Sequence, residues 1–411
     1  MKLGLAHFRR LLARVGHPER ATPAVLVGGT NGKGSVAAAL ASMLSAAGYR
    51  TGLYTSPHLI SYRERVRVDG RAIRRAEVAA GMEVLAPAMA ANGASFFEAM
   101  TALALLHFAR RKTDVAVLEV GIGGALDATN VVDPVLSVVV SVGLDHTDVL
   151  GPTIAHIARD KAGIARTGRP LVIGARGRAR AVLAAEAKRR GARPLILGID
   201  GKYRVEELRA ESSRFSFASS SSGFTAAHLE LGLPGRHQIT NAACALLGLG
   251  ALNIFPAARI AAGVRLGLER LRWPGRLDRL APWLLVDGAH NPAGARVLAD
   301  HLKRFESDRR LVAVVGMVAG KRPRAFGRAL NEVIPEAVVT QPPNERAVPA
   351  AHLAAELKQA GLACVAEPEP ARALARARAA AGPDGLVVVC GSLYLVGTVF
   401  HLLGRRPVER I

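Results

Sequence analysis

The chain of 411 residues has only three cysteines, Cys244, Cys364 and Cys390. They lie far apart in the sequence and each is surrounded by apolar residues. This number and spacing exclude a disulfide framework and a zinc site built from paired cysteines. We predict that the three thiols are small buried apolar groups in a protein of a reducing compartment.

Long apolar runs are also absent. No run approaches the ~18 residues of a membrane-spanning helix, and Ala242–Leu252 is soon followed by Asn253 and Pro256. Residues 1–16 have the pattern of a basic amphipathic helix without the apolar centre of a secretory signal. A glycine-rich motif begins about twelve residues later, which leaves little to cleave. We therefore expect a cytoplasmic protein with no membrane partner.

Acidic residues are few compared with basic ones. The 55 Lys and Arg against 33 Asp and Glu give a formal net charge of +22, which raises nucleic acid as a partner. Aromatic residues are only 4%, however, so few side chains can stack on bases, and the basic residues are scattered. We expect no nucleic acid partner, and a basic surface that attracts small anionic substrates. Only nine of the cations are Lys, so a Lys within a motif is informative.

Strand and helix patterns alternate along nearly the whole chain, which predicts parallel sheets covered by helices. Between Tyr203 and Leu233 apolar and polar residues alternate instead, which predicts an antiparallel hairpin with a turn at Ser219–Gly223. A helical pattern runs from Gln238 to Leu268. The segment RWPGRLDRLAPW, with two prolines and a glycine, suggests a boundary near Leu280. The fold class is thus α/β, with a large nucleotide-binding domain over residues 1–279 and a smaller, Rossmann-like domain over 280–411.

The clearest local motif is GGTNGKGS at 28–35, between the buried strand pattern Ala24–Val27 and a helix. Such a loop surrounds phosphate oxygens with backbone N–H groups, and a Lys adds positive charge for the β and γ phosphates. The first Gly is one place later than usual, and a Gly separates the Lys from the Ser. A glycine-rich turn that only packs helix on strand is the alternative. We predict ATP binding by Gly32, Lys33, Gly34 and Ser35.

Glu119 lies near the end of the apolar strand pattern DVAVLEV. Ligands collect at the carboxyl edge of a parallel sheet, so this carboxylate is expected beside the phosphate loop. A carboxylate in that position suits Mg²⁺. A solvated or helix-capping Glu is the alternative.

Eight further motifs follow GGTNGKGS in a definite order. They are TSPHL (55–59), SFFE (95–98), LEVGIGGALDATN (118–130), DHTDVLGPTIAHIARDKAGI (145–164), PGRHQITNAA (234–243) with WPGR (273–276), VDGAHNP (286–292), and GSLYLVG (391–397). Together they resemble the folylpolyglutamate synthase/dihydrofolate synthase family, relatives of the Mur peptide ligases. The resemblance covers about residues 7–403.

The resemblance implies a fold and a reaction. The first domain is expected to be a P-loop-type domain like the central domain of Mur ligases, and the second a Mur-ligase-like domain that binds glutamate and closes over ATP. The implied reaction joins L-glutamate to dihydropteroate or to the glutamate tail of a reduced folate, through an acyl phosphate, releasing ADP and phosphate. A monomer that takes only small-molecule substrates is expected.

The resemblance also implies roles for individual residues. Two Mg²⁺ ions are expected, one of them held by Ser56, Glu119 and His146. Lys161 is expected to be a carbamate and, with Lys33 and His290, to act in catalysis. The remaining ATP contacts are expected from Asn241, Arg276 and Asp287. The substrate contacts implied are Ser95, Phe96, Phe97, Glu98, Leu126, Asp127, Ala128 and Ser392.

Two departures from the family pattern leave the substrate open. Relatives often have Arg where this chain has Ala125, and GMVAGKRP (316–323) lacks the acidic residue that commonly precedes a Lys-Asp pair. Whether the chain makes dihydrofolate, extends glutamate tails or does both is therefore undecided. A Mur-type ligase of cell-wall precursors and a nucleic-acid-binding P-loop ATPase are the alternative functions.

Overall fold

The computed structural model describes residues 5–405. Of the predicted amphipathic helix, the first four residues lie outside the described part, and the helix α1 covers Ala6–Arg14. The described strands form three sheets of eight, three and six strands. The eight-stranded and the six-stranded sheets each belong to an α/β unit, and the larger unit comes first in the chain, as the sequence predicts.

The eight-stranded sheet has the order β4-β3-β2-β5-β1-β6-β7-β8 and is parallel except at β3 and β4. Its central strand contributes Val25 and Val27 to one core and Ala24 and Leu26 to the other, because successive side chains of a strand point to opposite faces. The strands are β1 (Ala24–Gly28), β2 (Thr51–Tyr54), β3 (Val66–Val68), β4 (Arg71–Ala72), β5 (Val115–Glu119), β6 (Pro134–Val139), β7 (Pro170–Ile173) and β8 (Arg193–Ile196).

Helices cover both faces of this sheet. The core on one face includes side chains of α2 (Lys33–Ala46), α8 (Arg236–Gly250) and α9 (Ala257–Arg270). The core on the other includes side chains of α1, α3 (Arg75–Asn92), α4 (Phe96–Arg110), α6 (Ile154–Lys161) and α7 (Gly177–Arg189). The short helix α5 covers Thr147–Leu150, and 3₁₀ turns cover Pro18–Arg20, Tyr62–Arg65, Ala128–Val131 and Ala162–Ile164.

The predicted antiparallel hairpin is present as β10 (Ser213–Ser219) and β11 (Thr225–Leu231), and β9 (Gly201–Leu208) adds a third strand. The hairpin buries Phe215 and Phe217 against the α2/α8/α9 core. The prediction of one helical stretch from Gln238 to Leu268 is wrong, because α8 ends at Gly250 and α9 begins after Pro256. Proline has no N–H to continue a helix and is found instead at helix starts.

The last sheet has the order β12-β13-β17-β14-β15-β16 and is parallel except at β12. Its strands are β12 (Asp278–Ala281), β13 (Leu284–Val286), β14 (Leu311–Val315), β15 (Glu336–Val339), β16 (Ala363–Ala366) and β17 (Leu386–Cys390). The helices are α10 (Pro292–Phe305), α11 (Pro323–Asn331), α12 (Ala350–Lys358), α13 (Pro370–Ala381) and α14 (Leu393–Leu402). The domain boundary between residues 279 and 280 stays a prediction.

The two α/β units pack against each other through the segment that follows β2. Leu59 and Ile60, which follow β2, pack against the core of the second unit that contains α13 and α14. Gly397 in α14 leaves no room for a Cβ beside the backbone of Leu59. All three cysteines are buried and free, as predicted. Among residues 5–405 no helix is both long enough and apolar enough to cross a bilayer.

Candidate active site

The loops that follow three adjacent strands meet at one edge of the large sheet. Strand β1 lies between β5 and β6, so the glycine-rich loop after β1 is flanked by Glu119 at the end of β5 and by Asp145 and His146 after β6. These residues line one cavity of about 1750 Å³, and the second α/β unit lines its other side. A typical ligand pocket has about 300–1,000 Å³, so this cavity has room for more than one substrate.

The glycine-rich loop is held in a conformation that requires glycine. Gly32 has φ of 86°, and a Cβ there would lie 2.5 Å from Oδ1 of Asn241, which excludes other residues. The backbone N–H groups of Thr30 and Asn31 donate to the carbonyl and hydroxyl oxygens of Ser141, each at 2.9 Å. Helix α2 begins at Lys33, so its positive N-terminal end faces the cavity, as a phosphate site requires.

Glu119 provides a buried carboxylate at this edge. Its Oε2 accepts the backbone N–H of Ser56 at 2.9 Å, and burial raises the pKa of the carboxyl above its ordinary value. No Lys or Arg of the described residues lies within ion-pair distance of it, although the charge of Lys33 acts on it from farther away. Such a carboxylate, open to the cavity, fits a divalent cation.

The other predicted metal ligands lie on the same cavity. Burial lowers the pKa of His146, so its ring is neutral near pH 7 and can offer a nitrogen lone pair. Ser56 lies beside Glu119. Among the described residues no three His, Cys, Asp or Glu side chains form a metal cluster, and the predicted set contains only two of these types, with a Ser as the third member. The carboxylate of Glu119 and the hydroxyl of Ser56 are oxygen ligands of the kind that Mg²⁺ prefers, whereas the imidazole nitrogen of His146 is a ligand more usual for other metals.

Lys161, the last residue of α6, is buried against the phosphate loop. Its Nζ donates to the carbonyl oxygen of Gly29 at 2.9 Å, and its side chain is almost inaccessible to solvent. Burial, with a smaller effect from the charge of Lys33, lowers the pKa of the amine to about 7. A substantial fraction of this amine is therefore neutral at neutral pH.

Residues of the second unit reach the phosphate loop directly. The side-chain amides of Asn31 and Asn291 donate to each other, at 3.3 Å and 2.9 Å. Lys321 donates to both oxygens of Asp145, at 2.9 and 3.2 Å. Burial acts to raise the pKa of Asp145, but the hydrogen bond and charge of Lys321 outweigh it and hold the pKa below its ordinary value.

His290 lies beside this ion pair. Its Nδ1 is 2.8 Å from the carbonyl oxygen of Gly288, which can only accept, so Nδ1 carries the proton. Its Nε2 is 3.9 Å from Oδ2 of Asp145. Burial, followed by the charge of Lys321, lowers the pKa of His290 to about 4, so the ring is neutral and Nε2 is a free base at neutral pH.

The three predicted ATP contacts of the later motifs also line the cavity. Asp287 is buried and accepts the N–H groups of Leu277 at 2.8 Å and Ala289 at 2.7 Å, so it shapes the turn after β13. Burial raises the pKa of its carboxyl. Asn241 donates to Gln238 at 2.9 Å and packs on Gly32, while Arg276 lies against Gly288.

Seven of the eight predicted substrate contacts line the cavity. Ser95 and Glu98 form a reciprocal cap at the start of α4, and the buried Asp127 caps the next 3₁₀ turn through its bonds to Thr129. Ser392 caps α14. The exception is Phe96, which is 59% exposed and outside the lining, and its role as a substrate contact stays a prediction. Successive helical residues are about 100° apart, so Phe97 faces the cavity instead.

The sequence interpretation missed Lys321, Asn291 and Arg65 as cavity residues. The rarity of Lys was a signal for Lys321, which lies in the GMVAGKRP segment. The partners of these residues are distant in the sequence, so no spacing rule could have paired them.

Comparisons with known proteins agree with this arrangement. The Mur ligase middle domain matches residues 27–249, and the Mur ligase glutamate ligase domain matches residues 275–393. The dihydrofolate synthase/folylpolyglutamate synthase of Escherichia coli is 34% identical over 406 residues, which are 98% of this chain and 92% of that protein. The folylpolyglutamate synthase of Lacticaseibacillus casei is 34% identical, over 96% of this chain and 92% of that protein.

A probable bifunctional folylpolyglutamate synthase/dihydropteroate synthase of Halobacterium salinarum is 41% identical over 94% of this chain, but over 48% of its own length. The chain thus spans about half the length of this relative and of a similar one from Haloferax volcanii. Among solved structures, Escherichia coli FolC in complex with DHPP and ADP has a TM-score of 0.88 at 33% identity, over 98% of this chain and 94% of that one. A Yersinia pestis structure of the bifunctional synthase with AMPPNP and Mn ion has a TM-score of 0.86 at 31% identity, over the same shares.

The lowered pKa of Lys161 predicts a pH-dependent gain in stability when the amine is removed. Below pH 7 the folded protein holds the buried ammonium and bears its full cost; above pH 10.5 the amine is neutral in both states and the cost vanishes. Lys161→Met is therefore expected to raise the free energy of unfolding by roughly 2–4 kcal/mol at pH 6, and by progressively less as the pH rises from about 7 to 10.5. Urea unfolding in CO₂-free buffer at several pH values measures this.

Lys188→Met is the matched control, because Lys188 is exposed on α7. Its effect on unfolding is expected to be the same at every pH. A Lys161→Met effect that is equally independent of pH would contradict the burial of a charged amine.

Proposed function

The chain belongs to the folylpolyglutamate synthase/dihydrofolate synthase family of the Mur ligase superfamily, and we propose that it joins L-glutamate to dihydropteroate, to the glutamate tail of a reduced folate, or to both. ATP is the energy source, and ADP and phosphate are the other products. The observation that carries this proposal is the shared cavity, in which a phosphate loop, a buried carboxylate and residues of the second unit surround one space.

The chemistry requires activation of a carboxylate. An amine does not displace O²⁻ from a carboxylate, so a carboxylate oxygen first attacks the γ-phosphorus of ATP and ADP leaves. The amine of glutamate then attacks the acyl carbon, and phosphate departs with that oxygen. Lys33 and the N–H groups of the loop stabilise the charge that develops on the transferred phosphoryl group. Approach of the second unit excludes water that would hydrolyse the acyl phosphate.

Divalent cations are part of the proposal. Ser56, Glu119 and His146 would hold one Mg²⁺, and a second would be oriented by Lys161. When bound, the cations neutralise charge on the β and γ phosphates. The Yersinia pestis relative with AMPPNP and Mn ion supports the use of a divalent metal with the nucleotide.

A carbamate on Lys161 is consistent with the local chemistry. Carbamylation requires a neutral amine, which a pKa of about 7 supplies. The carbamate nitrogen keeps one N–H, which can still donate to Gly29, while its new carboxylate adds a negative group beside the metal ligands. An ammonium cannot serve that purpose.

The remaining residues divide between the substrates. Asn241, Arg276 and Asp287 would bind ATP. Phe97, Leu126 and Ala128 are apolar residues of the cavity lining and would contact the pteridine ring of the substrate. From the second unit, His290 would accept a proton of the incoming amine and Ser392 would contact glutamate.

The alternatives have less support. The names of the relatives favour folate chemistry over a Mur-type ligase of cell-wall precursors. A nucleic-acid-binding ATPase rests on net charge alone. A monomeric state and a cytoplasmic location stay predictions.

The reaction is tested by weighing products. Wild-type protein with Mg²⁺, ATP and glutamate is expected to add one glutamate residue to dihydropteroate, to tetrahydrofolate or to both, with one ADP per amide. Lys33→Ala is expected to lower kcat by at least about a hundredfold without changing the thermal unfolding temperature, because it removes charge from the phosphoryl transfer rather than from the core. Nucleotide hydrolysis that responds to nucleic acid and not to pteroate would contradict the proposal.

The metal assignment predicts a selective effect of Glu119→Gln. The amide keeps the size of the side chain but is a weaker ligand, so the Mg²⁺ concentration for half-maximal activity is expected to rise about tenfold or more, while the KM for glutamate changes little. Glu98→Gln is the comparison, because Glu98 lines the cavity but caps α4. An unchanged Mg²⁺ titration for Glu119→Gln would show that Glu119 does not hold the metal.

The carbamate predicts that positive charge cannot replace Lys161. Lys161→Arg is expected to be as inactive as Lys161→Ala, and formate or acetate is expected to restore part of the activity of the Ala variant. Turnover of both variants, with formate, acetate or methylamine at constant ionic strength, measures this. An active Arg variant, or rescue by methylamine alone, would refute the carbamate and leave the ligase reaction standing.

A further inference from the structure

Arg65 places a buried guanidinium on the cavity wall, and none of the sequence motifs assigned it a role. It is the last residue of the 3₁₀ turn Tyr62–Arg65 and is 8% exposed. Its Nε donates to Nδ1 of His58 at 3.0 Å, and its Cζ is 5.2 Å from the centre of the Phe96 ring. No carboxylate among residues 5–405 lies within ion-pair distance of it.

Its neighbours orient this cation but do not neutralise it. Nδ1 of His58 accepts the N–H of Arg65, and an imidazole carries no negative charge, so this contact orients the guanidinium without neutralising it. The adjacent carboxylate, on Glu64, accepts the backbone N–H groups of residues 59, 60 and 61 at 2.8–3.0 Å and so serves the loop. By contrast, the buried end of Lys321 is paired with Asp145. An unpaired buried cation is costly unless an anion joins it.

The position of Arg65 indicates where such an anion would come from. Arg65 shares its cavity with Phe97 and Leu126, which are predicted substrate contacts, and with Lys33 of the phosphate loop. An anion bound to Arg65 would therefore belong to a molecule that occupies this cavity.

We propose that Arg65 binds a carboxylate of the acyl substrate and thereby positions that substrate for phosphorylation. This inference rests on the proposed function. A guanidinium fork held by His58 and Phe96 matches a carboxylate with two parallel N–H···O bonds. The carboxylate has two sources: the reacting group of dihydropteroate, or the α-carboxylate of a glutamate already attached to the folate.

The experiment compares each carboxylate with its amide in equilibrium binding, with Mg·ADP present and glutamate absent, so that turnover plays no part. Calorimetry gives Kd for dihydropteroate and its carboxamide, and for tetrahydropteroylglutamate and its α-carboxamide. In at least one pair the wild-type protein is expected to bind the carboxylate at least tenfold more tightly. Arg65→Gln is expected to reduce this preference below threefold.

The controls separate this role from a structural one. Arg63→Gln changes the same turn outside the cavity, where Arg63 bonds the carbonyl oxygen of Ile73, and is expected to keep the full preference. The Kd for Mg·ADP is expected to be unchanged in Arg65→Gln. If Arg65→Gln does not fold, Arg65→Lys serves as the test variant. It keeps the positive charge but lacks the two parallel N–H donors of the guanidinium, and is expected to lower the preference for carboxylate over amide at least threefold.

The outcomes are distinct. Loss of preference only in the dihydropteroate pair assigns Arg65 to the reacting carboxylate, and loss only in the pteroylglutamate pair assigns it to the tail. A full preference retained in both pairs by the Arg65 variant overturns the inference while the proposed function stands. If the wild-type protein binds neither dihydropteroate nor tetrahydropteroylglutamate, the proposed function itself fails and the inference with it.

Discussion

The close packing of the glycine-rich loop after β1 determines where the other groups of the site can lie. A Cβ on Gly29 would lie 3.2 Å from the backbone nitrogen of Ser141, and one on Gly32 would overlap Asn241. The loop can therefore fit against the segment after β6 and helix α8 only with glycine at these positions. Because it fits, Lys161 can donate to Gly29 and Asn291 can pair with Asn31. The second α/β unit is thus attached to the phosphate loop itself.

The electrostatics of the cavity follow from burial of charged groups of both signs, few of which are paired at close range. Lys33, Lys161, Arg65 and Arg276 all line it, and among described residues the short ion pair of this region is that of Lys321 with Asp145. Under the proposed function, substrates that carry phosphate and carboxylate groups would pair with these cations. The same burial makes the imidazole of His290 and part of the Lys161 amine neutral, as acceptance of a proton and carbamylation require.

Sequence patterns predicted those features of the candidate site that depend on neighbouring residues in the chain. They missed the contacts between residues that are far apart in the sequence. The strand before GGTNGKGS and the one ending at Glu119 were recognisable from apolar runs, and parallel strands necessarily bring their carboxyl ends together. The pairing of Asp145 with Lys321, 176 residues apart, has no local signal. The sequence pattern also could not predict side-chain direction. Phe96 and Phe97 are adjacent residues of the same type, yet only Phe97, in the first turn of α4, lines the cavity. Pro256 was a visible signal for the break between α8 and α9.

The central claim is that carboxylate activation by ATP and amide formation occur in one cavity. Dihydropteroate labelled with ¹⁸O in its carboxylate, incubated with ATP, Mg²⁺ and glutamate, tests it directly by mass spectrometry of the released phosphate. An acyl phosphate requires one carboxylate oxygen to leave with the phosphoryl group, so one ¹⁸O per amide formed is expected in inorganic phosphate. Unlabelled phosphate, or label in AMP instead, would contradict the account.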